Sequence, residues 1–238
     1  MRAAALSEIR TAVRHLLPTG VASSAGPIAD TYPPLAPAEL AVTGRMGSTR
    51  LQEFSAGRAH ARTVLQNLGL YSPVVPVGPD RAPLWPHGFV GSISHAGELA
   101  LAVAAPSTVM RAIGVDLEPS LPLDYELLNR VCRPEELTRL QTSPRPLFQA
   151  KLIFSAKESV YKCLAPLMGL FLDFDDLEIL FDMAEETFCA RGHGQGKSLI
   201  SCNPVTGRFA EAGGYWITVA WQRPPPGSGP RKARSESS

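Results

Sequence analysis

The sequence predicts an α+β fold, and three observations carry that expectation. Ser48 to Leu68 and about Leu147 to Leu164 space apolar residues by three and four, the period of a helix with one buried face. Ala112 to Glu118 and Tyr215 to Trp221 alternate with period two, as half-buried strands do. Leu177 to Phe181 and Thr187 to Ala190 read as the arms of a hairpin, which makes the sheet structure mainly antiparallel.

Taken in order, residues 1–17 read as a short helix and Leu17 to Leu40, rich in Pro, Gly, Ala and Ser, as irregular chain. Pro37-Ala38-Glu39-Leu40 looks like a helix start with proline in its first turn. Gly69 ends the first long helix. Pro73 to Trp85 is a proline-rich connector, and Gly91 to Ala104 reads as a loop feeding a strand in which Leu99, Leu101 and Val103 alternate with alanine. Pro119 ends the strand at 112–118, and Asp124 to Leu140 looks helical with a break near Pro134. Ala165-Pro166 is expected to end the second long helix, and the apolar run Leu167 to Phe174 to join the core, with the lining of a groove for a partner as the alternative. Three segments follow: 1–105, 106–222 and a Pro-, Gly- and Ser-rich tail at 223–238 without fixed structure.

The 238 residues suffice for one large domain or two small ones with real cores, and 45% apolar residues is ordinary for a globular protein. A net charge of +1 gives no overall drive toward nucleic acid or membrane, so any phosphate binding must be local. No apolar run reaches the roughly 18 residues of a membrane span, and the amino terminus, with Glu8 early, is a poor signal peptide. Cys132, Cys163, Cys189 and Cys202 are widely spaced with no C-x-x-C, which argues against zinc and a disulfide framework and fits a cytoplasmic protein.

Three stretches carry possible chemistry. In G-V-D-L-E, at 114–118, Asp116 and Glu118 stand side by side on one strand face, where two carboxylates repel unless a cation sits between them. An all-oxygen set points to a hard ion such as Mg2+; two surface acids at a strand end are the plain alternative. In F-S-A-K-E-S-V-Y-K, at 154–162, the apolar stripe is Phe148, Leu152, Ala156, Val160 and Cys163, and Glu158 and Lys162 stand one turn apart on another face. Glu158 is a natural third carboxylate, or with Lys162 an ordinary surface pair. On the first long helix Arg50, Arg58 and Arg62 share a face, which suits a phosphate or simply faces solvent. F-S-A-G-R-A at 54–59 echoes F-S-A-K-E-S at 154–159, a short hint of internal duplication.

G-V-D-L-E, followed some forty residues later by F-S-A-K-E-S-V-Y-K, with G-S-I-S-H at 91–95 and R-A-P-L-W-P at 81–86 before them, resembles the 4'-phosphopantetheinyl transferase family. The likeness is to the type that serves siderophore and nonribosomal-peptide synthetases. The resemblance implies two similar α+β subdomains related by pseudo-twofold symmetry, each a small antiparallel sheet with a long helix, and an active site between them. It implies Mg2+ (or Mn2+) on Asp116, Glu118 and Glu158, and coenzyme A as substrate. Arg50, Arg58, Arg81, Ser94, His95, Asp116, Lys157 and Lys162 would contact coenzyme A, His95 at its 3'-phosphate. Glu158 and Lys162 would be the catalytic pair. The implied reaction moves phosphopantetheine to a serine of an apo carrier protein of fatty-acid, polyketide or nonribosomal-peptide synthesis, by a cytoplasmic monomer. A Mg2+-dependent phosphohydrolase and a coenzyme A-binding module without chemistry are the alternatives.

Overall fold

The computed structural model describes residues 3–29, 31–168, 172–202 and 204–225. The expected tail from 226 on, and 169–171 of the apolar run, lie outside the described residues. The helices are α1 (Ala3–Leu16), α2 (Pro37–Leu40), α3 (Ser48–Asn67), α4 (Leu128–Val131), α5 (Pro134–Leu140), α6 (Pro146–Met168) and α7 (Gly196–Cys202). The strands are β1 (Ala22–Pro27), β2 (Phe89–Ala96), β3 (Leu99–Pro106), β4 (Ala112–Pro119), β5 (Leu177–Asp182), β6 (Thr187–Gly192), β7 (Thr206–Ala212) and β8 (Tyr215–Gln222). They form two antiparallel sheets, ordered β1-β3-β2 and β4-β8-β7-β6-β5, so the fold is α+β.

β3 shows how one strand serves two layers. Leu99, Leu101 and Val103 point into a core shared with Ile9 and Val13 of α1, Ile113, Val115 and Leu117 of β4, and Ile217 and Val219 of β8. The alanines between them face α3, where Ala102 and Ala104 meet Ala61, Val64 and Leu65; small residues let the helix lie close. α6 covers the second sheet with Leu152, Ala156, Val160 and Cys163, four of the five residues of the predicted stripe; Phe148 is half-buried under the Arg145 guanidinium instead. Leu172 joins that core, whereas Leu167 is exposed. Among the described residues no helix is long and apolar enough to cross a membrane.

Two buried glutamates lock each long helix to its surroundings in the same way. Glu39 of α2 accepts from the Ala36 N–H (3.0 Å) and, at its other oxygen, from the Val75 N–H (3.0 Å), and pairs with Arg62 of α3. Glu136 of α5 accepts from the Arg133 N–H (2.8 Å) and the Ile179 N–H (2.7 Å), and pairs with Lys157 of α6 at 2.7 Å. Both sit three residues after a helix N-cap in a P-x-E-L segment, and both are fully buried. With every oxygen engaged, the cost of burying the charge is offset.

The structure corrects several expectations. β1, A-S-S-A-G-P, lies within the stretch read as irregular; it lacks β-formers and is a strand because β3 offers it an edge. Gly91 to Ala96 is a strand, not a loop, so His95 sits on β2 and the turn falls at Gly97. α6 runs through Pro166 to Met168; so near its end proline removes one intrahelical bond without stopping the helix. β7 and α7 carry no periodic pattern long enough to reveal them.

Candidate active site

The two sheets meet where β2 lies beside β4. Ser92 Oγ accepts from the Val115 N–H (3.1 Å) and Ser94 Oγ from the Leu117 N–H (3.2 Å), so hydroxyls satisfy the outer edge of β4. On its face α6 presses against Gly114. A Cβ there would stand 1.9 Å from the Ser159 carbonyl oxygen and 2.5 Å from the Cys163 nitrogen, so only glycine admits the helix.

That approach lays one row of α6 over the carboxylates of β4. Lys151, Ser155, Glu158 and Lys162 follow one another at steps of four, three and four. Lys162 Nζ donates to Asp116 Oδ1 at 2.5 Å, Ser155 Oγ to Asp116 Oδ2 at 2.9 Å, and Ser94 Oγ to Asp116 Oδ1 at 3.0 Å. Asp116, 3% exposed, is thus buried but fully engaged. Lys151 Nζ meets Glu118 Oε2 at 2.6 Å. Glu158, half-buried, makes no hydrogen bond or ion pair among the described residues. Burial raises its pKa above the ordinary carboxylate value; Lys162 opposes this, and Asp116 and Glu118 add to it. Burial likewise raises Glu118, against Lys151.

Ser94, Asp116, Glu118, Glu158 and Lys162 floor a cleft of about 1080 Å³, just above the roughly 300–1,000 Å³ typical of small-molecule sites. Its other wall is basic. Arg50 Nη1 donates to His95 Nε2 at 2.7 Å and to Glu53 Oε2 at 3.2 Å. His95 is pushed below the ordinary histidine value, chiefly by burial, with Arg50 and Lys162 adding repulsion against Glu53 and Asp116. The Arg58 guanidinium lies 4.4 Å from the Phe54 ring centroid, and its Nε is buried with no hydrogen-bond partner among the described residues. Burial lowers its pKa to about 10, Glu39 opposing and Arg50 and Arg62 assisting. Arg81 lines the cleft from a tight turn, at φ 69°; a non-glycine residue there costs about 1–3 kcal/mol.

Nine predicted site residues therefore line one cleft: Arg50, Arg58, Arg81, Ser94, His95, Asp116, Glu118, Glu158 and Lys162. Lys157 does not. Its ammonium is buried on the far side of α6, bonded to Glu136, the Val131 carbonyl (2.8 Å) and the Phe174 carbonyl (3.0 Å), so it clamps the helix and does not reach the cleft. Arg62 turns away to Glu39. The Ser94 hydroxyl is spent on Asp116, the Leu117 N–H and Lys162. Sequence reasoning passed over Lys151 and Ser155, although their spacing from Glu158 on one helix row was the available signal. It also passed over Glu53, for which no such signal exists.

The donor set suits a hard divalent cation, and two lysines already stand on two of its carboxylates as stand-in charges. The side chains do not converge: among the described residues no group of three or more acidic, histidine or cysteine side chains is assembled as a metal site.

Residues 38–105 match the profile of the 4'-phosphopantetheinyl transferase N-terminal domain, and residues 112–220 that of the 4'-phosphopantetheinyl transferase superfamily. The chain belongs to the 4'-phosphopantetheinyl transferase superfamily. It is 36% identical over 213 residues to the 4'-phosphopantetheinyl transferase Svp of Streptomyces mobaraensis, covering 84% of this chain and 83% of that one. It is 33% identical over 147 residues to the transferase PptT of Mycobacterium tuberculosis (61% and 65%). To enterobactin synthase component D of Escherichia coli K12 it is 39% identical over 119 residues (49% and 55%). The protein is a 4'-phosphopantetheinyl transferase.

Proposed function

We propose that the cleft takes coenzyme A and that the transferase passes its 4'-phosphopantetheine group to a serine hydroxyl of an apo carrier protein or carrier domain of a fatty-acid, polyketide or nonribosomal-peptide synthase, releasing adenosine 3',5'-bisphosphate. The observation that carries this reading is the α6 row, in which Glu158, without a hydrogen bond or ion pair among the described residues, stands one turn from Lys162, itself bonded to Asp116. In the transfer a bond forms between the serine oxygen and phosphorus, and the pyrophosphate P–O bond breaks with its electron pair on the departing bisphosphate. Glu158 takes the serine proton, directly or through water. Lys162 is placed to move from Asp116 to the phosphate and offset the charge developing on the leaving group. Arg50, Arg58, Arg81 and His95 grip the other phosphates and the nucleoside end, and Ser94 holds Asp116 and Lys162 in place. Mg2+, or Mn2+, on Asp116, Glu118 and Glu158 would supply charge neutralisation at the pyrophosphate.

The test is intact-mass analysis of an apo carrier incubated with coenzyme A, Mg2+ and the transferase. A gain of one phosphopantetheine group per carrier is expected. An unmodified carrier, across carriers of all three kinds, overturns the reading.

A further inference from the structure

The three carboxylates of the cleft are held unequally. Asp116 is fixed by two serine hydroxyls and by Lys162. Glu158 stands free of partners among the described residues. Glu118 has a lysine of its own: Lys151 Nζ lies 2.6 Å from Oε2, and the two side chains are only 18% and 21% exposed. Lys151 is outside the cleft lining, so its place beside Glu118 is not explained by a contact with substrate. A second contact steadies it, the Phe154 ring centroid 5.2 Å from its ammonium.

We propose that Lys151 is the built-in counter-ion of Glu118 and that it sets how tightly the cleft holds a divalent cation, by competing for the same carboxylate. The inference rests on the reading that Asp116, Glu118 and Glu158 bind the metal. An ammonium hydrogen-bonded to Oε2 and a Mg2+ ion at its usual ligand distance of about 2.0–2.1 Å cannot both use that oxygen without strong mutual repulsion. The incoming cation must dislodge Lys151 or accept Glu118 with a positive charge beside it; both weaken binding. The arrangement keeps the carboxylates from repelling one another before the cation arrives, since Lys151 and Lys162 together leave the three acids one negative charge from neutral. It also makes the cleft a poor trap for a cation on its own, so that the cation enters with the pyrophosphate that shares its charge.

The experiment titrates the full chain, without coenzyme A, with Mn2+ and reads free Mn2+ by its electron paramagnetic resonance signal. Lys151→Met keeps the stem and its packing on Phe154 but removes the charge. It should bind Mn2+ about tenfold more tightly than the parent, a step between those typical of exposed and buried ion pairs. Lys151→Arg keeps the charge and should stay at the parent affinity. Circular dichroism accompanies each variant, and Lys151→Gln replaces Lys151→Met if the latter does not fold. Asp116→Ala, as control, should lose Mn2+ binding. If Asp116→Ala loses it while Lys151→Met binds no more tightly than the parent, or Lys151→Arg binds as tightly as Lys151→Met, the role of Lys151 is overturned and the metal site stands. If Asp116→Ala binds Mn2+ like the parent, the metal site falls and Lys151 with it.

Discussion

Gly114→Ala tests the contact on which the whole site is hung. The added methyl would lie 1.9 Å from the Ser159 carbonyl oxygen and 2.5 Å from the Cys163 nitrogen. Both are backbone atoms of α6, so no side chain can swing aside. To reach the 3.0 Å that real Cβ contacts respect, the helix must retreat by about 1.1 Å. Overpacking of this kind costs about 1–3 kcal/mol and sometimes more. At about 2–4 °C per kcal/mol for a chain of this size, the upper figure lowers Tm by roughly 6–12 °C. The effect on turnover should be larger in proportion. Ser155 and Lys162 lie one turn to either side of Ser159, and both hold Asp116, so the retreat loosens the base, the lysine and the carboxylate together. A misplacement of about 1 Å costs about 10²-fold in rate. Scanning calorimetry and single-turnover transfer to a carrier measure the two effects. Gly44→Ala, where nothing lies within 4 Å of the new methyl, serves as control and should leave Tm unchanged. A Gly114→Ala protein with parental Tm and kcat refutes the idea that close approach of α6 to β4 builds the site.

Glu158→Gln should lower kcat by about 10²–10⁴ while coenzyme A still binds, as expected of a lost general base. Lys162→Ala should lower kcat too, and the double variant should be no worse than the poorer single one, because both serve one step; additive losses in steady-state kinetics would separate their roles. Lys157→Ala leaves Glu136 buried and uncompensated, so urea denaturation should show a loss of about 3–5 kcal/mol, with coenzyme A affinity at the parental value by calorimetry. His60, bonded to Ser24 Oγ at 2.8 Å, is pushed down to about 4, mostly by burial and partly by Arg10. The folded chain therefore refuses a proton that the unfolded chain takes near pH 6.5, and stability is lost as pH falls from about 6.5 to about 4. His60→Gln should remove up to about 3 kcal/mol of that dependence; an unchanged slope of unfolding free energy against pH would contradict it.

What could be read from the sequence was whatever a local period encodes. α3 and α6 announce themselves because each buries one stripe, and β4 because one face is apolar and the other acidic. The acids of β4 and the row on α6 were visible because each lies within one element. Apart from the end of α6, the misreadings are non-local. Ser92 and Ser94 make β2 look like a loop, yet their hydroxyls are there to satisfy N–H groups of β4 more than twenty residues away. β1 has no propensity of its own and depends on the edge of β3. Lys157 looks like a ligand contact because nothing near it in sequence shows that Glu136, 21 residues earlier, is its buried partner.

The matching clamps of Glu39 and Glu136 also bear on the ancestry of the chain. Each uses one carboxylate oxygen for its own helix start and a basic residue of the next long helix, and the other oxygen for a backbone N–H beyond that helix. The basic residue is arginine in one case and lysine in the other, and the letters around the two clamps otherwise share little beyond P-x-E-L. Two copies of such wiring are what a gene fused to its own duplicate would leave behind once most of the lettering had drifted. On such a history the joint would be the common inheritance, and the cations of α3 and the carboxylates of β4 and α6 would be what each half acquired or kept for itself. A search for the repeat is better made on a buried glutamate three residues into a short helix, with a base on the next long one, than on residue identity.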